Sequence, residues 1–173
     1  MIRFGVAGIP LSCKWRSLKE GVTFVKQLNL DAMEIRMFKD LGLEEEDLKE
    51  VGETAHFHGV QLSAHTTSYI DFSDDERDTS IEKVINCGEA ASMLGADVLV
   101  THGGFYSLDG SLDNTIESIR EIRSYFSENN MSVRLGIETM GRSDVVGSLE
   151  DVIQICKKVK GTIPVLDFAH IHA

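Results

Sequence analysis

Five residues with side chains suited to holding a divalent cation recur at a regular place in the chain: His65, His102, Glu138, Asp167 and His170. The first four close short apolar runs: Val60 to His65, Asp97 to His102, Val133 to Glu138, and Ile163 to Asp167. Such runs read as buried β-strands. A carboxylate leaving a hydrophobic strand, as Glu138 does, needs an arginine, a hydrogen-bond cluster or a metal ion. Nitrogen and oxygen ligands of this mix suit Zn²⁺ or Mn²⁺ better than Mg²⁺, and two histidines with a carboxylate match a catalytic zinc site with an open position. A shared carboxylate can also bridge two metals.

Each residue has a plainer alternative. His65 and His102 can be hydrogen-bonded core histidines, Glu138 can pair with Arg36 or Arg142, and Asp167 can cap a following helix. His172 is as readily a surface residue as a further ligand. His56 and His58 end a helix that leads into a strand, the wrong end for catalysis, and are read as structural.

The elements that must position these residues follow from periodicity. Ile2 to Ala7 is a first strand, and Ser17-x-x-Glu20 is a capping box for a helix on Val22, Val25 and Leu28. Asp31 to Met37 is a second strand whose Glu34 and Arg36 share one face, either pairing with each other or lining a cavity. A second helix spans Glu45 to about His58, with Gly59 as its cap. Strand three ends at His65, and a polar loop from Asp71 to Glu76 leads to a helix on Ile81, Val84, Ile85, Gly88 and Ala91. Gly95 stops that helix before strand four. A fourth helix runs from about Leu112 to Glu128, strand five ends at Glu138 with Gly136 allowing close approach, and Ser148-x-x-Asp151 caps a fifth helix. Gly161 ends it, and strand six closes on Asp167.

Six strands alternating with five helices predict a parallel α/β fold. Two architectures fit: an open doubly wound sheet, or a (β/α)8 TIM-type barrel of which this chain supplies about six strands. Both place functional groups at the carboxyl ends of the strands. A dinucleotide-binding fold is disfavoured because no Gly-x-Gly-x-x-Gly follows strand one.

Residues 1–173 read as one domain; 42% are hydrophobic and 26% charged, the balance of a soluble globular protein. No apolar run approaches a membrane span and the start runs straight into a strand, so a cytoplasmic location is expected. Cys13, Cys87 and Cys156 are odd in number and widely spaced, which argues against a disulfide framework or a thiolate zinc site. The net charge of −11 tells against a broad basic surface for nucleic acid, although carboxylates that bind cations count here as bare charge. Lys14, Trp15, Arg16, Tyr69, Phe72, Phe105, Tyr106 and Arg142 fall on loops after the strands. There they are candidates to flank a phosphate-bearing or base-stacking ligand.

Four motifs in order, Ser63-Ala-His65 with Tyr69-Ile-Asp71, Thr101-His102-Gly-Gly-Phe-Tyr106, Gly136-Ile-Glu138-Thr-Met-Gly141 with Gly147-Ser-Leu-Glu150, and Leu166-Asp167-Phe-Ala-His170-Ile-His172-Ala, resemble the endonuclease IV family of apurinic/apyrimidinic endonucleases. The resemblance is to archaeal-type members and covers essentially the whole chain. It implies a barrel related to xylose isomerase, a site of up to three Zn²⁺ ions, and hydrolysis of DNA 5′ of abasic sites. By motif, His65 and His102 would hold a first metal, Glu138 would bridge to a second, Asp167 would bind the second, and His170 would begin a third site. The family's usual His-Ala-Pro-Tyr is here His65-Thr-Thr-Ser68, and its proline after the strand-four histidine is Gly103. Its remaining ligands belong to strands seven and eight, which these residues do not include, so the sequence is expected to be either a fragment or a barrel that has lost its last quarter, and in the second case another subunit would cover the open edges.

The leading expectation from sequence is therefore a metal-dependent endonuclease acting on DNA with abasic sites. The alternative is a divalent-metal sugar isomerase or epimerase of the same barrel superfamily, in which Glu138 and Asp167 would hold one ion and carry proton transfer beside a carbonyl. A third expectation is a non-catalytic homologue that binds metal or a partner.

Overall fold

The structure is a computed structural model and describes residues 2–14, 17–37, 43–67, 69–72, 75–106 and 111–172. Its elements run β1 (Gly5–Ala7), α1 (Leu18–Gln27), β2 (Ala32–Arg36), α2 (Glu45–His58), β3 (Gln61–His65), α3 (Arg77–Met93), β4 (Val98–Thr101), α4 (Ser111–Glu128), β5 (Arg134–Glu138), α5 (Leu149–Lys158), β6 (Thr162–Val165) and α6 (Phe168–His172). All five strand pairs are parallel, and the sheet order is β1-β2-β3-β4-β5-β6.

That order decides between the two architectures. A doubly wound sheet reverses its strand order at a switch point, whereas here each strand pairs with the next, as in a barrel. Right-handed crossovers then carry every helix to the same face. The chain forms a six-stranded part of a TIM-type barrel.

Strand alternation sorts the side chains. Met33, Ile35, Leu62, Ala64, Leu99, Leu135 and Ile137 are buried in the core, with Val22 and Val25 of α1, Val51 of α2, Val84 of α3 and Phe126 of α4. Each of these side chains larger than alanine contributes roughly 1.5–3 kcal/mol by leaving water. Gly88 of α3 is where Phe126 packs closest, because a Cβ there would meet the Phe126 ring at 2.3 Å.

The helix ends follow the sequence. Ser17 caps α1 by accepting from the Glu20 N–H, Ser148 and Asp151 form a reciprocal capping box on α5, and Gly59 ends α2 at φ +66°. The acidic run also supplies a reciprocal cap, Glu44 with Asp47. Several strand boundaries differ from the sequence reading, and β4 ends at Thr101, so His102 lies just beyond it. β1 starts only at Gly5, since the ladder with β2 begins at Gly5↔Ala32. β6 ends at Val165, so Leu166 and Asp167 lie in the turn beyond it. The last segment, which carries no clear periodicity, is the short helix α6.

Candidate metal centre

Register sets the site. His65 pairs with Val100 and Val100 with Gly136, so Glu138 lies two residues further along the same face; His102 directly follows the Thr101↔Ile137 pair, and Glu138 pairs with Val165, two residues before Asp167. Steps of two preserve the face, so all four side chains emerge on the side away from the helices. Gly136 keeps the floor open, since a Cβ there would meet Val165 at 2.7 Å and Val98 at 2.9 Å.

Nε2 of His65 and Nε2 of His102 lie 3.1 and 3.0 Å from the same oxygen, Oε2 of Glu138. The Glu138 side chain is only 12% exposed. Burial alone would raise its carboxyl pKa, but the hydrogen bonds from His102 and His65 outweigh it and hold the group at about 2. His65 moves the other way: burial disfavours its charge, yet Glu138, the Thr66 carbonyl and the charge of Glu34 together raise its pKa.

A second cluster shares Glu138. One ligand atom from each of Glu138, Asp167 and His170 lies within 4.8 Å of the others, as is also true of His65, His102 and Glu138. Asp167 serves two purposes: Oδ1 accepts from the backbone N–H of Ala169 and His170, capping α6, while Oδ2 lies 3.5 Å from Nδ1 of His170. Nδ1 of His170 is also 2.8 Å from the Thr139 carbonyl, and Nδ1 of His65 is 2.9 Å from the Thr66 carbonyl. A ring nitrogen held on a carbonyl is how metal-ligating histidines are oriented. The donor set therefore fits one or two divalent cations with nitrogen and oxygen ligands; it does not select the ion.

These groups line a cavity of about 590 Å³ with Glu34, Arg36, Thr66, Met140, Leu166 and Phe168. Glu34 and Arg36 thus line a cavity, one of the two options left open for them. Glu34 is the cavity carboxylate that sequence reasoning did not count as a site residue, although its face alternation with Arg36 was the available signal.

The loop residues considered for substrate contact do not line this cavity among the described residues. Lys14 borders a separate hollow with Cys13, Thr23 and Phe24. Tyr69 packs on Phe105 at 5.8 Å, and the Arg142 guanidinium, also 5.8 Å from that ring, is paired with Asp144 rather than Glu138. Tyr106 donates its hydroxyl to Asp151 at 2.7 Å; burial and that bond push its pKa up to about 12. Trp15 and Arg16 lie outside the described residues. His58 approaches Thr23, and His56 borders a hollow at the amino ends of the strands, away from the cavity.

The family model of xylose isomerase-like TIM barrels matches residues 22–173. An uncharacterized protein of Methanocaldococcus jannaschii is 30% identical over all of this chain, which spans 63% of that relative. The D-psicose 3-epimerase of Clostridium cellulolyticum H10 superimposes with a TM-score of 0.80 at 15% identity, over 99% of this chain and 65% of that one. A D-tagatose 3-epimerase-like protein does so with a TM-score of 0.77 at 22% identity, over 98% and 66%. At such identities the likeness is one of fold. The resemblance to endonuclease IV thus narrows to the superfamily, and these structural likenesses are to sugar epimerases.

Proposed function

The chain belongs to the xylose isomerase-like TIM barrel family, and we propose that its site serves a divalent-metal-dependent isomerase or epimerase acting on a small sugar. The observation that carries this reading is the pair Glu138, at the end of β5, and Asp167, just beyond the adjacent β6, facing one cavity of about 590 Å³. That volume lies within the roughly 300–1,000 Å³ range of small-molecule sites.

A bound divalent cation supplies Lewis-acid polarisation of a carbonyl and its neighbouring hydroxyl. Glu138, Asp167 and His170 would hold the cation, and the Thr66 and Thr139 carbonyls keep the His65 and His170 rings in place. Glu34 lines the same cavity and would serve as the base that takes a proton from the carbon beside the carbonyl, the proton being returned to a carbon of the product. The net charge of −11, together with an Arg142 neutralised by Asp144, supports a small uncharged substrate over a DNA backbone.

One observation favours the second reading, a phosphodiesterase cutting DNA 5′ of abasic sites. His65 and His102 converge on Glu138, which makes that carboxylate common to two ligand groups, as in two-metal hydrolases.

A single experiment separates them. The protein, loaded in turn with Mn²⁺, Co²⁺, Mg²⁺ and Zn²⁺, is incubated in D₂O with free ketoses and, separately, with a duplex carrying one abasic site. Sugar turnover with deuterium entering the product is expected. Nicking of the duplex without sugar turnover would replace the first reading by the second, and inactivity on both would remove both.

A further inference from the structure

A second hollow lies at the amino ends of the strands, where α4 and α5 finish. It encloses about 240 Å³ and is lined by Arg120, Arg123, Ser124, Ser127, Lys158, Val159 and Lys160. Four cations and two hydroxyls border it and, among the described residues, no carboxylate does, in a chain whose acidic residues outnumber its basic ones 28 to 17. Random scattering of surface charge would place acids among them.

Arg123 is the anchor. Its guanidinium lies 5.8 Å from the Phe126 ring and close against Gly161, where an added Cβ would meet Nη2 at 2.8 Å and Nε at 3.0 Å. Its Nε is buried without a hydrogen-bond partner. An arginine fixed between a ring and a glycine has lost its rotamer freedom beforehand, so less is lost when its donors meet an anion. Lys158 reaches Asp113 at 3.4 Å, whereas Arg120, Arg123 and Lys160 form no hydrogen bond or ion pair among the described residues.

Helix C-termini attract cations for dipole reasons, which accounts for Lys157 and Lys158 at the end of α5. It does not account for Arg120 and Arg123, which sit before the last turn of α4, nor for an orphaned guanidinium nitrogen.

We propose that this α4–α5 hollow is a binding site for a phosphate-type oxyanion, with Arg123 as the preorganised donor, Arg120 and Lys160 as mobile counter-charges, and the Ser124 and Ser127 hydroxyls as neutral donors. Phosphate oxygens match the fork of an arginine and the point charge of a lysine together, which a single chloride ion does not. The ligand is either a free diphosphate or a phosphate ester, and the site lies at the opposite strand ends from the carboxylate cavity.

The test is an amide-resolved NMR titration with pyrophosphate, glycerol 3-phosphate and inorganic phosphate, each against sodium chloride at equal ionic strength. Saturable shifts at Gly161 and Ser127 are expected with at least one phosphate probe and not with chloride; the tighter of pyrophosphate and glycerol 3-phosphate identifies the source. Arg123→Gln should weaken binding at least tenfold. Since Arg123 also packs against Phe126, the exposed double variant Arg120→Ser/Lys160→Ser is the companion, again at least tenfold weaker, while Lys26→Ser on α1 leaves binding unchanged. Non-saturable shifts, equal shifts with chloride, or unaltered binding in the double variant would each overturn the proposal.

Discussion

Nε2 of His65 points at Oε2 of Glu138 from 3.1 Å while the opposite nitrogen of the same ring lies 2.9 Å from the Thr66 carbonyl. A neutral imidazole has one N–H. A carbonyl can only accept, so that proton belongs on Nδ1, and Nε2 then turns a lone pair toward a carboxylate. With the Glu138 carboxyl pKa held at about 2, and the group so ionised near neutral pH, only a cation makes both contacts favourable: a second proton on the ring, or a metal ion between nitrogen and oxygen. The raised pKa of His65 is the metal-free form of that requirement.

Metal uptake should therefore displace protons. Calorimetric titration with Zn²⁺ near pH 6, repeated in buffers of differing ionisation enthalpy, should show proton release, and His65→Gln should reduce it. Uptake without proton release would remove the lone-pair argument.

The two ligand groups meet at Glu138, so variants should not be equivalent. Glu138→Gln should weaken binding at every site, His65→Ala should spare the Asp167/His170 side, and Asp167→Asn should spare the histidine side. Replacing the Thr66 or Thr139 carbonyl contact by shifting its loop should cost on the order of 10–100-fold in affinity. Metal content by mass spectrometry of native protein, variant by variant, checks the pattern.

The metal-free protein should be most stable, as far as this cluster decides, between the ordinary pKa values of its two members. The Glu138 carboxyl is depressed, so its contribution is present above about pH 4.5 and is lost as pH falls toward about 2. The His65 pKa is raised, so its contribution is present below 6.5 and is lost as pH rises through the raised folded value. Thermal melting in EDTA across pH 2–9 should show both declines, and His65→Gln should flatten the alkaline one.

Tyr106→Phe should cost about 1 kcal/mol, the usual net worth of a hydrogen bond, because it leaves the N-terminal capping carboxylate Asp151 of α5 one donor short. Asp144→Asn, which breaks an exposed pair with Arg142, should change stability by less than about 0.5 kcal/mol. Urea unfolding of both variants tests the contrast.

Gly103→Ala should destabilise the protein by roughly 1–3 kcal/mol, since its Cβ would stand 2.3 Å from the Val146 carbonyl oxygen. The residue adjoins His102, so the strain should also lower metal affinity. Wild-type affinity in a stably folded Gly103→Ala protein would show that the loop is not what places His102.

The chain's own pattern was enough to place the strands in order and to find His65, His102, Glu138 and Asp167 at or just beyond their carboxyl ends, because alternation and helix capping are properties of neighbouring residues. The same locality explains the near misses: β1 and β6 are shorter than their apolar runs, since a ladder needs a partner strand as well as suitable residues. Tertiary structure alone decided that the sheet order never reverses, that two histidines 37 residues apart share one oxygen of Glu138, that Glu34 enters the cavity, and that Arg123 is pinned over Gly161. Each depends on register and packing between segments far apart in the chain, and no spacing within a segment encodes the distance between them.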